Sequence, residues 1–101
     1  MHPRRDAAVG LLRDLVAFDT TSRNSNRALI DFIADYLHGF GIEARLVPSD
    51  DGTKANLFAT VGPQRAGGVV LSGHTDVVPV DGQDWSTDPF ALSERDGRLF
   101  A

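Results

Sequence analysis

The stretch LSGHTDVVPVDG, residues 71–82, carries a histidine and an aspartate two positions apart, His74 and Asp76. In an extended backbone, side chains two residues apart point to the same face, so these two groups can converge on one point. Neutral imidazole is a common zinc ligand, and a metal-bound histidine usually donates its other ring N–H to a carboxylate. The spacing permits half of a metal site, but it equally permits a hydrogen-bonded structural histidine at a strand end.

Two helices are predicted ahead of this pair. Apolar residues recur at helical spacing over residues 6–18, where Asp6 can cap the first turn. The polar run FDTTSRNSN then favours a loop, in which Asp19, Thr20 and Thr21 are interpreted as loop and cap residues. A second amphipathic pattern begins at residue 24 or 25 and runs to about His38, before two closely spaced glycines.

Strand patterns follow the helices. Residues 42–47 alternate apolar with polar, and the turn sequence SDDGTKAN separates them from NLFATVG, which predicts a hairpin. Residues 68–72 are continuously apolar, as expected of a strand buried on both faces, and a weaker strand pair is predicted around Asp96. The order predicts an α/β fold with two helices and a mixed sheet, whose central buried strand ends at His74. Ligand sites of such sheets lie at the carboxyl ends of strands.

Composition narrows the classes of function. The 101 residues have a formal net charge of −4, which argues against binding driven by the phosphates of a nucleic acid. The chain has no cysteine, so a metal must be held by His, Asp or Glu. The length suits one domain, and the absence of a secretory or membrane-spanning pattern predicts a cytoplasmic protein without a membrane partner.

Four separated blocks of the sequence resemble one known family. LVAFDTTSRNSN, KANLFATVGP, GGVVLSGHTDVVPVDGQDW and DPFALSERDGRLF are similar, in order and spacing, to the N-terminal part of the acetylornithine deacetylase group of the zinc-dependent M20 metallopeptidase family. The resemblance runs from about Leu11 to Phe100. It implies that residues 1–101 are an incomplete N-terminal segment of the peptidase catalytic domain, with no second domain.

The resemblance also implies roles for the opening pair. His74 would be a zinc ligand, and Asp76 the neighbouring active-site aspartate that orients it. The family site holds two zinc ions, with cobalt as an alternative, and its bridging aspartate, adjacent glutamates, further acidic ligand and distant histidine lie beyond the matched region. His2 and His38 are expected to be surface residues that do not replace them. We therefore expect the chain to lack most ligands and to be inactive alone.

The activity implied is metal-dependent hydrolysis of N-acetyl-L-ornithine to L-ornithine and acetate, a step of arginine biosynthesis. The partner is then a small acylated amino acid, and a homodimer is compatible with the full-length protein. Two alternatives stay open at this point. One is another M20 deacylase or peptidase, such as a succinyl-diaminopimelate desuccinylase-like or aminoacylase-like enzyme. The other is a non-catalytic fragment that associates through an exposed sheet edge.

Overall fold

The computed structural model describes residues 2–101, in which two helices and four short strands are formed. The helices are α1, Pro3–Val16, and α2, Arg27–His38. The strands are β1, Arg45–Pro48; β2, Ala55–Phe58; β3, Ser93–Arg95; and β4, Arg98–Phe100. The chain divides into two compact units, of which one is Thr20–Val77 and the other combines residues 2–19 with Val78–Ala101. No helix in residues 2–101 is both long and apolar enough to cross a membrane.

The first helix was predicted, but it begins earlier than Asp6. The Nδ1 atom of His2 accepts a hydrogen bond from the backbone N–H of Arg5 at 3.4 Å and so caps the first turn. Pro3 follows as the first helical residue, where its fixed φ and missing N–H cost nothing. Helix α1 has no fully buried residue, so its apolar stripe is at most half-covered.

The small core of the unit Thr20–Val77 lies between α2 and β2. Its most buried apolar residues are Leu29, Ile30 and Ala55, with exposed fractions of 5%, 4% and 3%. The predicted hairpin is confirmed, because β1 and β2 pair antiparallel with Arg45 opposite Phe58 and Pro48 opposite Ala55. Helix α2 packs on this hairpin through β2.

One polar side chain ties the start of α2 to β2. The amide of Asn26 accepts from the backbone N–H of Ala55 at 2.9 Å and donates to the carbonyl of the same residue at 3.0 Å. Asn26 therefore satisfies both backbone groups of a buried residue, as a neighbouring strand would. This contact fixes where the helix begins relative to the hairpin.

The turn between β1 and β2 is built as its sequence predicts. Gly52 takes a φ of 73°, which favours glycine. The carboxylate of Asp51 accepts from the backbone N–H of Thr53 at 3.0 Å and from the hydroxyls of Thr53 and Ser49 at 2.8 and 2.9 Å. These hydrogen bonds, chiefly the one from the Thr53 backbone, favour the ionised form and lower the pKa of Asp51 below its ordinary value of 3.8.

The prediction of a central buried strand over residues 68–72 is wrong. These residues form no strand, and Val69, Val70 and Leu71 have exposed fractions of 87%, 78% and 92%. The expected mixed sheet is not formed either: residues 2–101 contain two separate antiparallel pairs and one isolated parallel bridge, between Thr21 and Val77. A strand needs hydrogen-bonding neighbours, and an apolar run alone supplies none.

The unit that contains Val78–Ala101 holds the second hairpin. Strands β3 and β4 are joined at Asp96 and Gly97, whose φ values of 53° and 73° suit a two-residue turn. The guanidinium of Arg95 lies 4.8 Å from the centre of the Phe100 ring, a cation–π contact across the pair. The predicted turn is confirmed, and the first strand of the pair starts at Ser93.

The contact made by Asn26 can be tested by substitution. Asn26→Ala leaves both backbone groups of Ala55 without their partner, and we expect a loss of about 1–3 kcal/mol in the free energy of unfolding, measured with urea. Asn24→Ala is the matched control: Asn24 is exposed, and its side chain makes no hydrogen bond within residues 2–101. The control should lie within about 0.5 kcal/mol of the parent chain. Equal losses in the two variants would contradict the role given to Asn26.

Candidate active-site pair

His74 and Asp76 meet as their spacing predicts. The Nδ1 atom of His74 lies 3.0 Å from Oδ1 of Asp76 and 2.9 Å from the backbone carbonyl oxygen of the same residue. Both side chains are open to solvent, with exposed fractions of 84% for the imidazole and 58% for the carboxylate. The pair is thus formed locally, by two residues separated by one position.

This geometry assigns the protons of the imidazole. A carbonyl oxygen and a carboxylate oxygen both accept hydrogen bonds, so Nδ1 must be the donor. When the ring is neutral, its lone pair is then on Nε2, which makes no hydrogen bond within residues 2–101. An imidazole oriented by a carboxylate, with Nε2 open to solvent, is the arrangement of a histidine that binds a metal.

The backbone at Thr75 and Val77, on either side of Asp76, is anchored to the loop between α1 and α2. The hydroxyl of Thr20 donates to the carbonyl of Thr75 at 2.6 Å. The N–H of Val77 donates to the carbonyl of Thr20 at 3.2 Å, and the N–H of Ser22 donates to the carbonyl of Val77 at 3.0 Å. Three hydrogen bonds therefore fix residues 75–77 against residues 20–22, all within the unit Thr20–Val77.

Thr20 and Thr21 are positions whose structural role the sequence underestimated. Both were interpreted as ordinary loop and cap residues, yet their exposed fractions are 5% and 1%, and Thr21 is the most buried of them. Thr21 also pairs with Val77 in the isolated parallel bridge. A buried polar residue is tolerated only when other groups supply its hydrogen bonds, here from a distant segment. The local sequence does not indicate that segment.

The described residues do not complete a metal centre. No group of three or more His, Cys, Asp or Glu side chains in residues 2–101 comes together in a way that could hold a metal ion. Of the other two histidines, His2 caps α1, and the Nδ1 atom of exposed His38 contacts Oε1 of Glu43 at 2.8 Å. A catalytic zinc takes three protein ligands and a water. His74 is oriented as one such ligand would be, and no group of side chains in residues 2–101 supplies the other ligands.

Polar residues of the loop before β3 form hydrogen bonds with nearby residues of the same loop. The carboxylate of Asp88 accepts from the N–H of Phe90 at 2.9 Å, and the indole N–H of Trp85 donates to Gln83 at 2.9 Å. Asp81 and Asp84 are exposed. Asp88 is therefore a turn residue, and Asp81 and Asp84 lie at the surface.

Three known proteins that are similar to this chain all carry the name acetylornithine deacetylase. The acetylornithine deacetylase of Proteus mirabilis is 46% identical over 86 residues, which make up 83% of this chain and 22% of the relative. The acetylornithine deacetylase of Edwardsiella ictaluri is 38% identical over an alignment of 107 positions, gaps included, which covers 99% of this chain and 28% of the relative. That of Photorhabdus laumondii is 43% identical over 100 residues, 91% and 26% of the two chains. No protein-family model matches the chain.

These similarities define the chain first as a relative of deacetylases. More particularly, it is related to acetylornithine deacetylases, since each of these relatives carries that name. The chain spans about a quarter of the length of the relatives it matches, between 22% and 28%.

The anchoring hydrogen bonds can be tested without reference to activity. Thr20→Val keeps the shape of the side chain but removes the hydroxyl that donates to Thr75, so we expect a loss of about 0.5–1.5 kcal/mol in the free energy of unfolding. The amide N–H of Val77 should also exchange faster with solvent, because it donates to the carbonyl of Thr20, the residue that is changed. Thr60→Val is the control, at an exposed threonine that makes no hydrogen bond within the described part of the chain. Unchanged exchange at Val77 would contradict the anchoring role.

Proposed function

We propose that this chain contributes the first metal ligand of an M20-type amide hydrolase, and that the reaction is the release of acetate from N-acetyl-L-ornithine. The observation that carries the proposal is the contact between His74 Nδ1 and Asp76, which leaves Nε2 open to solvent. The similarity to acetylornithine deacetylases from three organisms supports the choice of substrate.

The residues of this chain would act by orientation. Asp76 accepts the Nδ1 proton, which fixes the tautomer and the direction of the ring. Thr20 is a positioning residue, because its hydroxyl and carbonyl hold the backbone at Thr75 and Val77, on either side of Asp76. The hydrogen-bonded loop thus keeps the carboxylate beside the imidazole.

The metal would be zinc, in a site of two ions as in the family that the sequence resembles. Bound zinc supplies a Lewis acid that polarises the amide carbonyl and activates a water molecule. Because three protein ligands are needed and residues 2–101 bring no three candidate ligands together, we expect no deacetylation by this chain alone. In arginine biosynthesis the complete enzyme would act on a small soluble substrate in the cytoplasm, without a nucleic-acid or membrane partner.

The role of His74 can be tested in a chimera. In the Proteus mirabilis acetylornithine deacetylase, the matched segment would be replaced by the corresponding residues of this chain. We expect the chimera to release acetate from N-acetylornithine and to bind zinc. His74→Ala should abolish turnover and lower the zinc content, whereas Asp76→Asn should weaken metal affinity about 10–100-fold, the usual effect of losing an orienting partner.

Two controls accompany this experiment. His38→Ala removes another exposed histidine with a carboxylate neighbour, and it should leave turnover and zinc content unchanged. The 101-residue chain by itself should release no acetate. A His74→Ala chimera with normal turnover and normal zinc content would refute the proposed ligand.

A further inference from the structure

A lysine at the end of the turn between β1 and β2 contacts the loop that holds the candidate site. The ammonium group of Lys54 donates a hydrogen bond to the backbone carbonyl of Ser22. Lys54 is half-buried, and both residues belong to the unit Thr20–Val77. Because the two residues are 32 positions apart in the sequence, only the tertiary fold brings them together.

Ser22 connects this lysine to the candidate site. Its N–H donates to the carbonyl of Val77 at 3.0 Å, while its own carbonyl accepts from Lys54. Both backbone groups of Ser22 are therefore hydrogen-bonded, one to the residue that follows Asp76 and the other to the turn. Ser22 is exposed, so these two hydrogen bonds do more than packing to determine where it lies.

The charge of Lys54 suits it to this contact. A hydrogen bond from an ammonium group to a carbonyl is charge-assisted, and such bonds are roughly twice as strong as those between neutral groups. The lower local dielectric of a half-buried position strengthens the bond further. Within residues 2–101, Lys54 is the only donor to the carbonyl of Ser22. Removal of the ammonium group would leave that carbonyl without a protein partner.

The backbone that carries Lys54 is itself well fixed. Its N–H donates to the hydroxyl of Ser49 at 3.1 Å, and its carbonyl accepts from the N–H of Ser49 at 2.8 Å. The side chain of Lys54 therefore extends from a hydrogen-bonded turn. A residue that positions others acts best from such a rigid base.

Two other side chains join the same turn to the start of α2. The hydroxyl of Ser25 donates to the carbonyl of Thr53, and Nη1 of Arg27 donates to the carbonyl of Gly52 at 3.3 Å. Neither Ser25 nor Arg27 is hydrogen-bonded to residues 75–77 within the described part of the chain. These contacts hold the turn to the helix, whereas that of Lys54 leads to the site.

We propose that Lys54 is a positioning residue of the candidate site. Through Ser22 it holds the backbone at Val77, and so keeps Asp76 beside His74. Its part in catalysis rests on the proposed hydrolase function, but its effect on the backbone does not. Lys54 makes no hydrogen bond to either member of the pair. Its loss should therefore slow turnover without weakening the binding of substrate.

Hydrogen exchange of the 101-residue chain tests the positioning without reference to activity. Lys54→Met keeps most of the side-chain stem and removes the donor. We expect the amides of Ser22 and Val77 to exchange about 3–10-fold faster, relative to the amide of Ile30, because the loop is held by one hydrogen bond fewer. Ile30 is the internal reference, since its N–H donates to the carbonyl of Asn26 within the same unit.

Arg27→Met is the matched control. It removes another cationic donor to a backbone carbonyl of the same turn, but one that does not lead to Val77. Exchange at Ser22 and Val77 should then change no more than exchange at Ile30. This control separates a general loosening of the turn from a specific effect of Lys54 on the site.

The chimera with the Proteus mirabilis enzyme tests the catalytic consequence. At saturating zinc, Lys54→Met should lower kcat about 3–10-fold and leave KM unchanged, as expected when an orienting group is lost and substrate binding is not. Arg27→Met should retain the parent kcat. An inactive parent chimera would contradict the proposed hydrolase function, while the exchange experiment would still decide whether Lys54 fixes the backbone.

Three results would overturn the proposal. The first is exchange at Ser22 and Val77 that is no faster than at Ile30 in Lys54→Met. The second is an equal, selective increase in Arg27→Met, which would indicate that any loosening of the turn reaches the site. The third is an active chimera in which Lys54→Met leaves kcat unchanged, or raises KM alone.

Discussion

The hydrogen bonds between the loop at Thr20 and the backbone at Thr75 and Val77 are the constraint on which the candidate site depends. His74 and Asp76 are exposed, so packing does little to hold them. Their backbone is held at Thr75 and Val77, where the buried polar loop is hydrogen-bonded to it. Burial of Thr20 is tolerable because its hydroxyl and its carbonyl find partners at Thr75 and Val77.

The two sides of His74 therefore differ in physical character. After it, the chain is hydrogen-bonded to a buried loop. Before it, residues 69–72 form no strand within the described residues, and Val69, Val70 and Leu71 are largely exposed. A run of apolar residues favours a strand, but pairing requires a neighbour at the right distance and direction.

Local features of the fold could be predicted from the sequence. Helix α2 follows from its apolar stripe, and both hairpins follow from Asp-Gly turns, because these signals involve neighbouring residues. The contact of His74 with Asp76 follows from the spacing of two, for the same reason.

Features that depend on distant partners could not be predicted. The hydrogen bond from Thr20 to Thr75 joins residues 55 positions apart, and no periodicity encodes it. The apolar residues 68–72 predict a buried strand. An apolar pattern does not show whether a neighbouring strand is present to pair with it and help bury it. The resemblance to a zinc hydrolase family implies a role for His74, whereas the structure of this chain shows only its contact with Asp76.

The most direct test of this account is the tautomer of His74, read from the ¹⁵N chemical shifts of the nitrogens in the neutral imidazole. The account predicts that the proton is on Nδ1, donated to Asp76, with an unprotonated Nε2, and that this preference is lost in Asp76→Ala. A proton on Nε2 in the parent chain would contradict the central claim, because the nitrogen proposed to bind metal would then have no free lone pair.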